Sequence, residues 1–206
     1  MNPAAIAVLK IALDDVKPRV TRRLEVPLSI QLDRLHLVIQ VAMGWTDSHL
    51  YEIRAKDIGW GVPNPDFGGV VRDARKARLV DVLEDVGTNT LKYLYDFGDG
   101  WEHSIKIERL IDPVPGIAYP RLTKAAGRCP PEDVGGPWGY AEFLAALSDP
   151  GHECHAEFKE LVPEDFDPNV IDADWLGEQV AHLAEHWSRK TAPKRPRGSL
   201  RGRRAS

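Results

Sequence analysis

The sequence predicts an α+β fold: a mainly antiparallel sheet with helices packed on it, in a single domain over residues 1–187. Apolar and polar residues alternate in pairs of short stretches joined by turn residues, a pattern typical of β-hairpins. Other stretches repeat apolar residues at helical spacing. They do not alternate regularly with the strands, as helices do in a parallel α/β sheet, and no internal repeat is found.

The N-terminal half is predicted to contain a hairpin, a helix and a further strand. Apolar residues alternate over 5–14 and 20–26, and Pro27 ends the second of these strands. A helix is predicted over 31–43, because apolar residues recur there at helical spacing up to Gly44. The next predictions in chain order are a strand at 50–55, a long loop at 59–73 and a short helix or turn at 79–86.

The segment 93–108 predicts a second hairpin with the tip Gly98-Asp99-Gly100. A three-residue loop places the aromatic residues on one face and puts Gly100 at the left-handed position that such loops need. The resulting cross-strand pairs are Phe97–Trp101, Tyr95–His103, Tyr93–Ile105 and Leu91–Ile107. This register buries His103 on the apolar face. The acidic residues left at the tip or on the solvent-facing side are Asp96, Asp99 and Glu102.

The C-terminal half is predicted to be helical after a long irregular stretch. Pro and Gly are frequent over 113–136, which predicts a loop. Asp167-Pro168 is typical of the start of a short helical turn. The predicted helices cover residues 138–147, 156–161 and 172–187.

The composition indicates a globular protein without a membrane partner. The 206 residues are 43% apolar and 28% charged, and no apolar run approaches the roughly 18 residues of a membrane span. No secretory signal is visible, and Cys129 and Cys154 are too few for a disulfide framework. A cytoplasmic location is therefore expected.

Residues 188–206 are predicted to form a disordered basic tail. Eight basic residues and no acidic residue follow Glu185, although the chain has a net charge of −4. The other 19 basic and 31 acidic residues leave −12 on the body, which is not expected to bind nucleic acid selectively. The tail either contacts nucleic acid or another polyanion, or only keeps the protein soluble. The candidate nucleic-acid contacts are Arg195, Arg197, Arg201, Arg203 and Arg204.

Five segments of the sequence resemble the plasmid pRiA4b ORF-3-like family, in the family's order. They are Pro18–Pro27, Leu35–Leu50, Tyr95–Glu108, Cys129–Gly136 and Phe166–Pro168. The most specific is Tyr-Asp-Phe-Gly-Asp-Gly-Trp-Glu-His at residues 95–103. The resemblance implies a small α+β domain of bacterial plasmids and chromosomes, in some cases a transposon passenger. It implies an association with mobile DNA and no particular reaction.

The hairpin tip and segment 129–136 together form the main candidate site. Carboxylates are the ligands that Mg²⁺ and Mn²⁺ prefer, and carboxylates and histidines also act as acids and bases. The candidate catalytic residues are Asp96, Asp99, Glu102, His103, Glu132 and Asp133. The candidate ligands of a divalent metal ion are Asp96, Asp99, Glu132, Asp133 and His49. The same acidic residues can instead form turns or cap the following helix.

Other possible metal ligands have weaker patterns. The run 152–155 contains two histidines and a cysteine, but paired C-x2-C spacing is absent. His182 and His186 lie one helical turn apart without a third predicted ligand, and His36 is predicted to be a core residue. The resemblance also has gaps, since the family often has cysteine where this chain has Val134, and usually tryptophan in place of Thr21.

Two functions remain open from the sequence. The first is a non-enzymatic accessory protein of mobile elements that binds a partner and contacts nucleic acid through its tail. The second is a metal-dependent hydrolase that acts on phosphodiesters. The sequence decides neither whether the protein is an enzyme nor its oligomeric state.

Overall fold

Eight strands of the described residues form one continuous sheet. A computed structural model describes residues 1–63 and 71–191. The strands are β1 (Ile6–Leu13), β2 (Thr21–Pro27), β3 (Tyr51–Ala55), β4 (Ile58–Gly61), β5 (Arg72–Asp73), β6 (Thr90–Tyr95), β7 (Trp101–Ile111) and β8 (Arg121–Ala126). Their order across the sheet is β5-β4-β3-β6-β7-β1-β2-β8. Neighbouring strands are antiparallel except β4 and β5.

Five α-helices accompany the sheet within the same ranges. They are α1 (Leu32–Met43), α2 (Leu79–Val86), α3 (Gly136–Ser148), α4 (His155–Glu160) and α5 (Ala173–Thr191). α5 packs against both α1 and β8. The predicted α+β fold with a mainly antiparallel sheet is therefore confirmed. None of these helices combines the length and the apolar character needed to cross a bilayer.

The two faces of the sheet differ in character because side chains alternate along each strand. In β1, Leu9 and Ile11 are buried while Lys10 between them is exposed. The inward residues of the strands form one core with α1 and α2. The predicted N-terminal hairpin is confirmed, since β1 and β2 pair antiparallel over Ile6–Ala12 and Thr21–Pro27.

Three strands lie in segments for which the sequence predicts loops. β4 overlaps the start of the predicted loop 59–73, the short β5 forms its end, and β8 falls in the predicted loop 113–136, so both loop predictions are wrong there. β8 is the last strand of the sheet, and most of its residues are exposed, so it lacks an apolar alternation. In β4, glycines at positions 59 and 61 weaken the strand signal, although both lie close against β3.

The C-terminal helix is longer than predicted. α5 begins one residue after the start of the predicted helix 172–187 and continues to Thr191. Residues 188–191, which were assigned to the tail, are thus helical. Asp167-Pro168 begins a single turn, as predicted: the Asp167 carboxylate accepts a hydrogen bond from Asn169 N at 2.7 Å and its carbonyl accepts one from Val170 N at 3.2 Å. Residues 192–206, which include the five arginines of the predicted tail, lie outside the described residues.

Arg22 is a buried arginine that joins the end of α1 to the end of β8. Its side chain is 1% exposed, and Nε donates a hydrogen bond to Ala42 O at 2.6 Å. Nη1 donates to the carbonyls of Thr21, Ala126 and Gly127 at 2.9, 3.0 and 3.1 Å. Ala42 belongs to the last turn of α1, where carbonyls lack helical partners and the helix dipole is negative. These carbonyls stabilise the buried guanidinium, whose pKa is lowered by burial.

Replacing Arg22 with methionine should destabilise the fold. Methionine fills part of the same volume but leaves these carbonyls without their donor, so a loss of about 3 kcal/mol is expected. Urea denaturation followed by circular dichroism measures this loss. The matched control is Arg23→Met, which removes only the partly exposed ion pair of Arg23 with Glu108 and should cost less than about 1 kcal/mol. Similar losses in the two variants would contradict the role assigned to Arg22.

Candidate metal centre

The second hairpin has the predicted faces but a different register. Tyr95 pairs with Trp101, two residues away from the predicted pairing. Because side chains alternate with a period of two, this shift keeps the aromatic residues on the buried face. The loop covers residues 96–100, since Asp96 leaves the strand with φ of 56° and its carbonyl accepts a hydrogen bond from Gly100 N at 2.7 Å. The predicted loop was therefore two residues too short.

His103 and Glu102 lie on opposite faces of β7. His103 is fully buried, and its Nδ1 lies 3.2 Å from Tyr93 O and 3.1 Å from Trp101 O, so these contacts assign the proton to Nδ1. Burial lowers the pKa of His103 to about 4, so the ring is neutral at neutral pH. Glu102 is exposed on the outer face. Neither side chain reaches the loop end of the hairpin, where the other candidate residues lie.

Glu132 holds two segments of the chain together. One carboxylate oxygen accepts a hydrogen bond from the Tyr95 hydroxyl at 2.5 Å. The other accepts from Thr46 N at 3.0 Å and Thr46 Oγ1 at 2.5 Å. Burial, followed by the bond to Glu132, raises the pKa of Tyr95, which therefore stays protonated and donates. With both oxygens used in hydrogen bonds, Glu132 positions segment 129–136 against the hairpin.

Asp99 forms a second contact between the hairpin tip and segment 129–136. Its carboxylate accepts a hydrogen bond from Gly135 N at 3.1 Å. Gly136 packs so closely that a Cβ added there would lie 2.1 Å from Asp99 O. The N-cap of α3 is Gly135, so neither Glu132 nor Asp133 caps this helix. The two segments thus meet directly.

The turn that carries His49 is fixed by a buried network around His36. The His36 ring is 3% exposed, with Nδ1 at 2.9 Å from Tyr93 Oη and Nε2 at 2.6 Å from Asp47 Oδ1. Gln40 donates to Tyr93 Oη at 2.8 Å and accepts from Asp47 N at 3.1 Å. Burial lowers the pKa of His36, and the Asp47 carboxylate opposes this shift. His36 is a core residue, as predicted, and the network fixes the backbone immediately before His49.

His49, Asp96 and Asp133 converge at the loop end of the hairpin. His49 Nε2 lies 3.2 Å from Asp133 Oδ1 and 3.7 Å from Asp96 Oδ2. One ligand atom from each residue lies within 4.8 Å of the other two. His49 Nε2 makes no hydrogen bond within the described ranges. Asp96 uses Oδ1 to accept a hydrogen bond from Gly98 N at 2.9 Å, which leaves Oδ2 facing the histidine.

This cluster is the only group of three potential ligands of this kind within residues 1–63 and 71–191. His155 Nδ1 lies 2.8 Å from Ala146 O, and His152 Nδ1 accepts from Cys154 N at 3.2 Å, so both are engaged locally. The structure therefore brings together three of the five candidate metal ligands. Asp99 and Glu132 support them from the adjoining positions.

The fold and the cluster define an α+β protein with an open histidine–carboxylate site at one end of its sheet. The chain belongs to the plasmid pRiA4b ORF-3-like family, since the family description "Plasmid pRiA4b ORF-3-like protein" matches residues 5–175. The Sinorhizobium fredii (strain NBRC 101917 / NGR234) protein named "Uncharacterized protein y4hQ" is 52% identical over 192 residues, 93% of this chain and 98% of that protein. The crystal structure of MM3350, a protein of unknown function from Methanosarcina mazei Go1, is similar with a TM-score of 0.73 and 31% identity. That match covers 82% of this chain and 96% of MM3350.

Replacing Gly136 with alanine should separate the two segments that carry the cluster. The new Cβ must move away from Asp99 O, and φ of 70° is also unfavourable for alanine, so a loss of about 3 kcal/mol is expected in urea denaturation. Gly116→Ala is the matched control, because Gly116 has φ of 81° but nothing within 4 Å of the added Cβ. It should lose only about 1 kcal/mol. Equal losses would show that the close approach to Asp99 contributes nothing.

Proposed function

We propose that the folded body binds a divalent cation through His49, Asp96 and Asp133. With this cation the protein acts as a metal-dependent hydrolase. The observation that carries this proposal is the mutual distance of the three ligand atoms, which are within 4.8 Å of one another. Atoms bound to one ion at about 2.0–2.6 Å lie within about 5 Å of each other. The side chains therefore need little movement to share an ion.

The charges and exposure of the cluster also favour a bound cation. Two carboxylates face one imidazole nitrogen that has no hydrogen-bond partner among the described residues. The Asp133 side chain is 74% exposed, so the site is open to solvent on that side. Imidazole together with carboxylates suits Mn²⁺, Fe²⁺ or Zn²⁺ better than Ca²⁺.

A hydrolytic role follows from the number of protein ligands. His49, Asp96 and Asp133 would supply three protein ligands to an ion and leave further coordination positions open, and the ion would supply Lewis-acid activation of water for hydrolysis. Phosphodiesters are the proposed substrate class, because an ion in this position polarises phosphoryl oxygens. Phosphodiesters are also the bonds of the DNA backbone, and the family resemblance implies an association with mobile DNA.

Asp96→Asn and Asp133→Asn should each weaken Mn²⁺ or Zn²⁺ binding by at least about tenfold. Asparagine tolerates the left-handed conformation of both positions, with φ of 56° and 60°, and so preserves the turns while removing the charge. Isothermal titration of chelator-treated protein measures the affinity. Asp99→Asn is the matched control at the same tip and should change affinity by less than about twofold, because its oxygen can still accept from Gly135 N.

Turnover of bis(p-nitrophenyl) phosphate with and without the metal separates an enzyme from a binding protein. Metal-dependent turnover that is lost in Asp96→Asn and Asp133→Asn would support the hydrolase. Saturable metal binding without turnover would support a non-enzymatic accessory protein. If the wild-type protein bound neither metal at millimolar concentration, the cation site itself would be excluded.

The charge distribution favours a second function, contact with nucleic acid through the basic tail at residues 188–206. Eight basic residues follow Glu185 without an acidic one, against a chain total of −4. A basic segment attracts phosphate groups and releases their counterions, so its binding weakens steeply with salt. In this function the protein is a partner-binding accessory of mobile DNA, and the cation site is not required.

Replacing the five tail arginines with glutamine in the full-length chain tests this second function. The five positions are Arg195, Arg197, Arg201, Arg203 and Arg204. The slope of log affinity for duplex DNA against log salt concentration should become shallower by at most about 4.5. Fluorescence anisotropy measures the slope. An unchanged slope would show that these arginines do not contact DNA.

A further inference from the structure

Four basic residues form a row across four adjacent strands on the outer face of the sheet. Lys106 of β7 lies opposite Lys10 of β1, Lys10 lies opposite Arg23 of β2, and Arg23 lies opposite Lys124 of β8. The three lysines are exposed, and Arg23 is half-buried. Because neighbouring strands are about 4.8 Å apart, the row extends over about 14 Å.

Most of the positive charge in this row is not neutralised. Arg23 forms an ion pair with Glu108 at 2.5 Å. The three lysines take part in no ion pair or side-chain hydrogen bond with the described residues. A hollow of about 330 Å³ on this face is lined by Lys10, Arg23 and Lys124, by two further cations, Arg19 and Arg22, and by Thr21 and the carboxylate of Glu108, which is paired with Arg23. A positive surface thus lies on a body whose total charge is negative.

Like charges directly opposite each other destabilise a sheet. Elsewhere the same face carries ion pairs, such as Lys92 with Asp14 at 2.8 Å and Arg121 with Glu25 at 3.4 Å. The row of like charges is therefore an exception to the ion pairing on the rest of this face. It lowers the stability of the folded protein, whereas opposite charges at the same positions would raise it. Residues that cost stability at the surface are typical of functional surfaces.

We propose that this row binds the phosphate backbone of nucleic acid. A segment of about 14 Å along a DNA duplex carries roughly eight phosphate charges, so the three free lysines can each meet a phosphate. The row contains no aromatic side chain on which a base could stack, which favours backbone contact without base recognition. The surface belongs to the folded body and depends on neither the cation site nor the tail.

The test compares two triple variants of the full-length chain that change net charge equally. The first is Lys10→Gln, Lys106→Gln and Lys124→Gln, and the control is Lys56→Gln, Lys76→Gln and Lys159→Gln, which are exposed lysines away from the row. Duplex DNA binding is followed by fluorescence anisotropy over a series of salt concentrations. The row variant should make the log–log salt slope shallower by about three, with affinity at low salt at least about tenfold weaker. The control should stay close to wild type.

Urea denaturation of the same variants shows whether a loss of DNA binding is caused by loss of folding. Because the row repels itself, the row variant should have an equal or higher urea midpoint than the wild-type protein. Equal loss of binding in the two triple variants would assign the effect to net charge and overturn the proposal. It would also be overturned if wild-type binding were abolished by the tail substitutions alone, or if the wild-type protein did not bind the duplex at low salt. Additive losses from row and tail variants would support two separate contacts.

Discussion

The arrangement of the candidate site depends on the carboxylate of Glu132. It accepts hydrogen bonds from Tyr95 at the end of β6 and from Thr46 in the turn after α1. Three segments that are distant in sequence are therefore held at one point. His49 follows that turn, Asp96 follows Tyr95, and Asp133 follows Glu132, so each residue of the cluster lies one to three positions from a residue of this contact. The Glu132 carboxylate, whose two oxygens both accept hydrogen bonds, thus positions Asp96 and Asp133, each of which keeps a carboxylate oxygen facing His49.

Periodicity was enough to predict most of the fold. The N-terminal hairpin, α1, α2 and the faces of the second hairpin follow from local patterns of apolar residues. β8 was missed because an exposed strand at the side of a sheet has no apolar alternation, and its pairing with β2 is a long-range property. The hairpin loop was predicted two residues too short. Only the left-handed conformation of Asp96 and its backbone bond to Leu50 O at 2.9 Å explain the longer loop.

The same limit applies to the candidate site. The sequence indicated its chemical components, because the acidic hairpin tip, the acidic segment around Glu132 and His49 were all recognisable. It could not separate residues by role, since role depends on which atoms are already bonded. His103 is buried by its position in β7, and Glu102 is turned outward by the alternation of the same strand. The network of His36 with Asp47, Tyr93 and Gln40 gave no signal beyond the helical spacing of His36 itself.

Three aspartates near the site, Asp47, Asp96 and Asp133, have positive φ, and contacts within the protein explain their carboxylates to different degrees. Aspartate tolerates this conformation better than most residues, but asparagine does so equally well. Asp47 uses its carboxylate on His36, so the network requires it. Asp96 needs one oxygen for Gly98 N and leaves the other facing His49. Asp133 makes no hydrogen bond through its carboxylate with the described residues and lies 3.2 Å from His49 Nε2. The contacts within the protein therefore account for the carboxylate of Asp47 fully, for that of Asp96 in part and for that of Asp133 least. A cation shared with His49 would account for the carboxylate oxygens of Asp96 and Asp133 that these contacts leave unexplained.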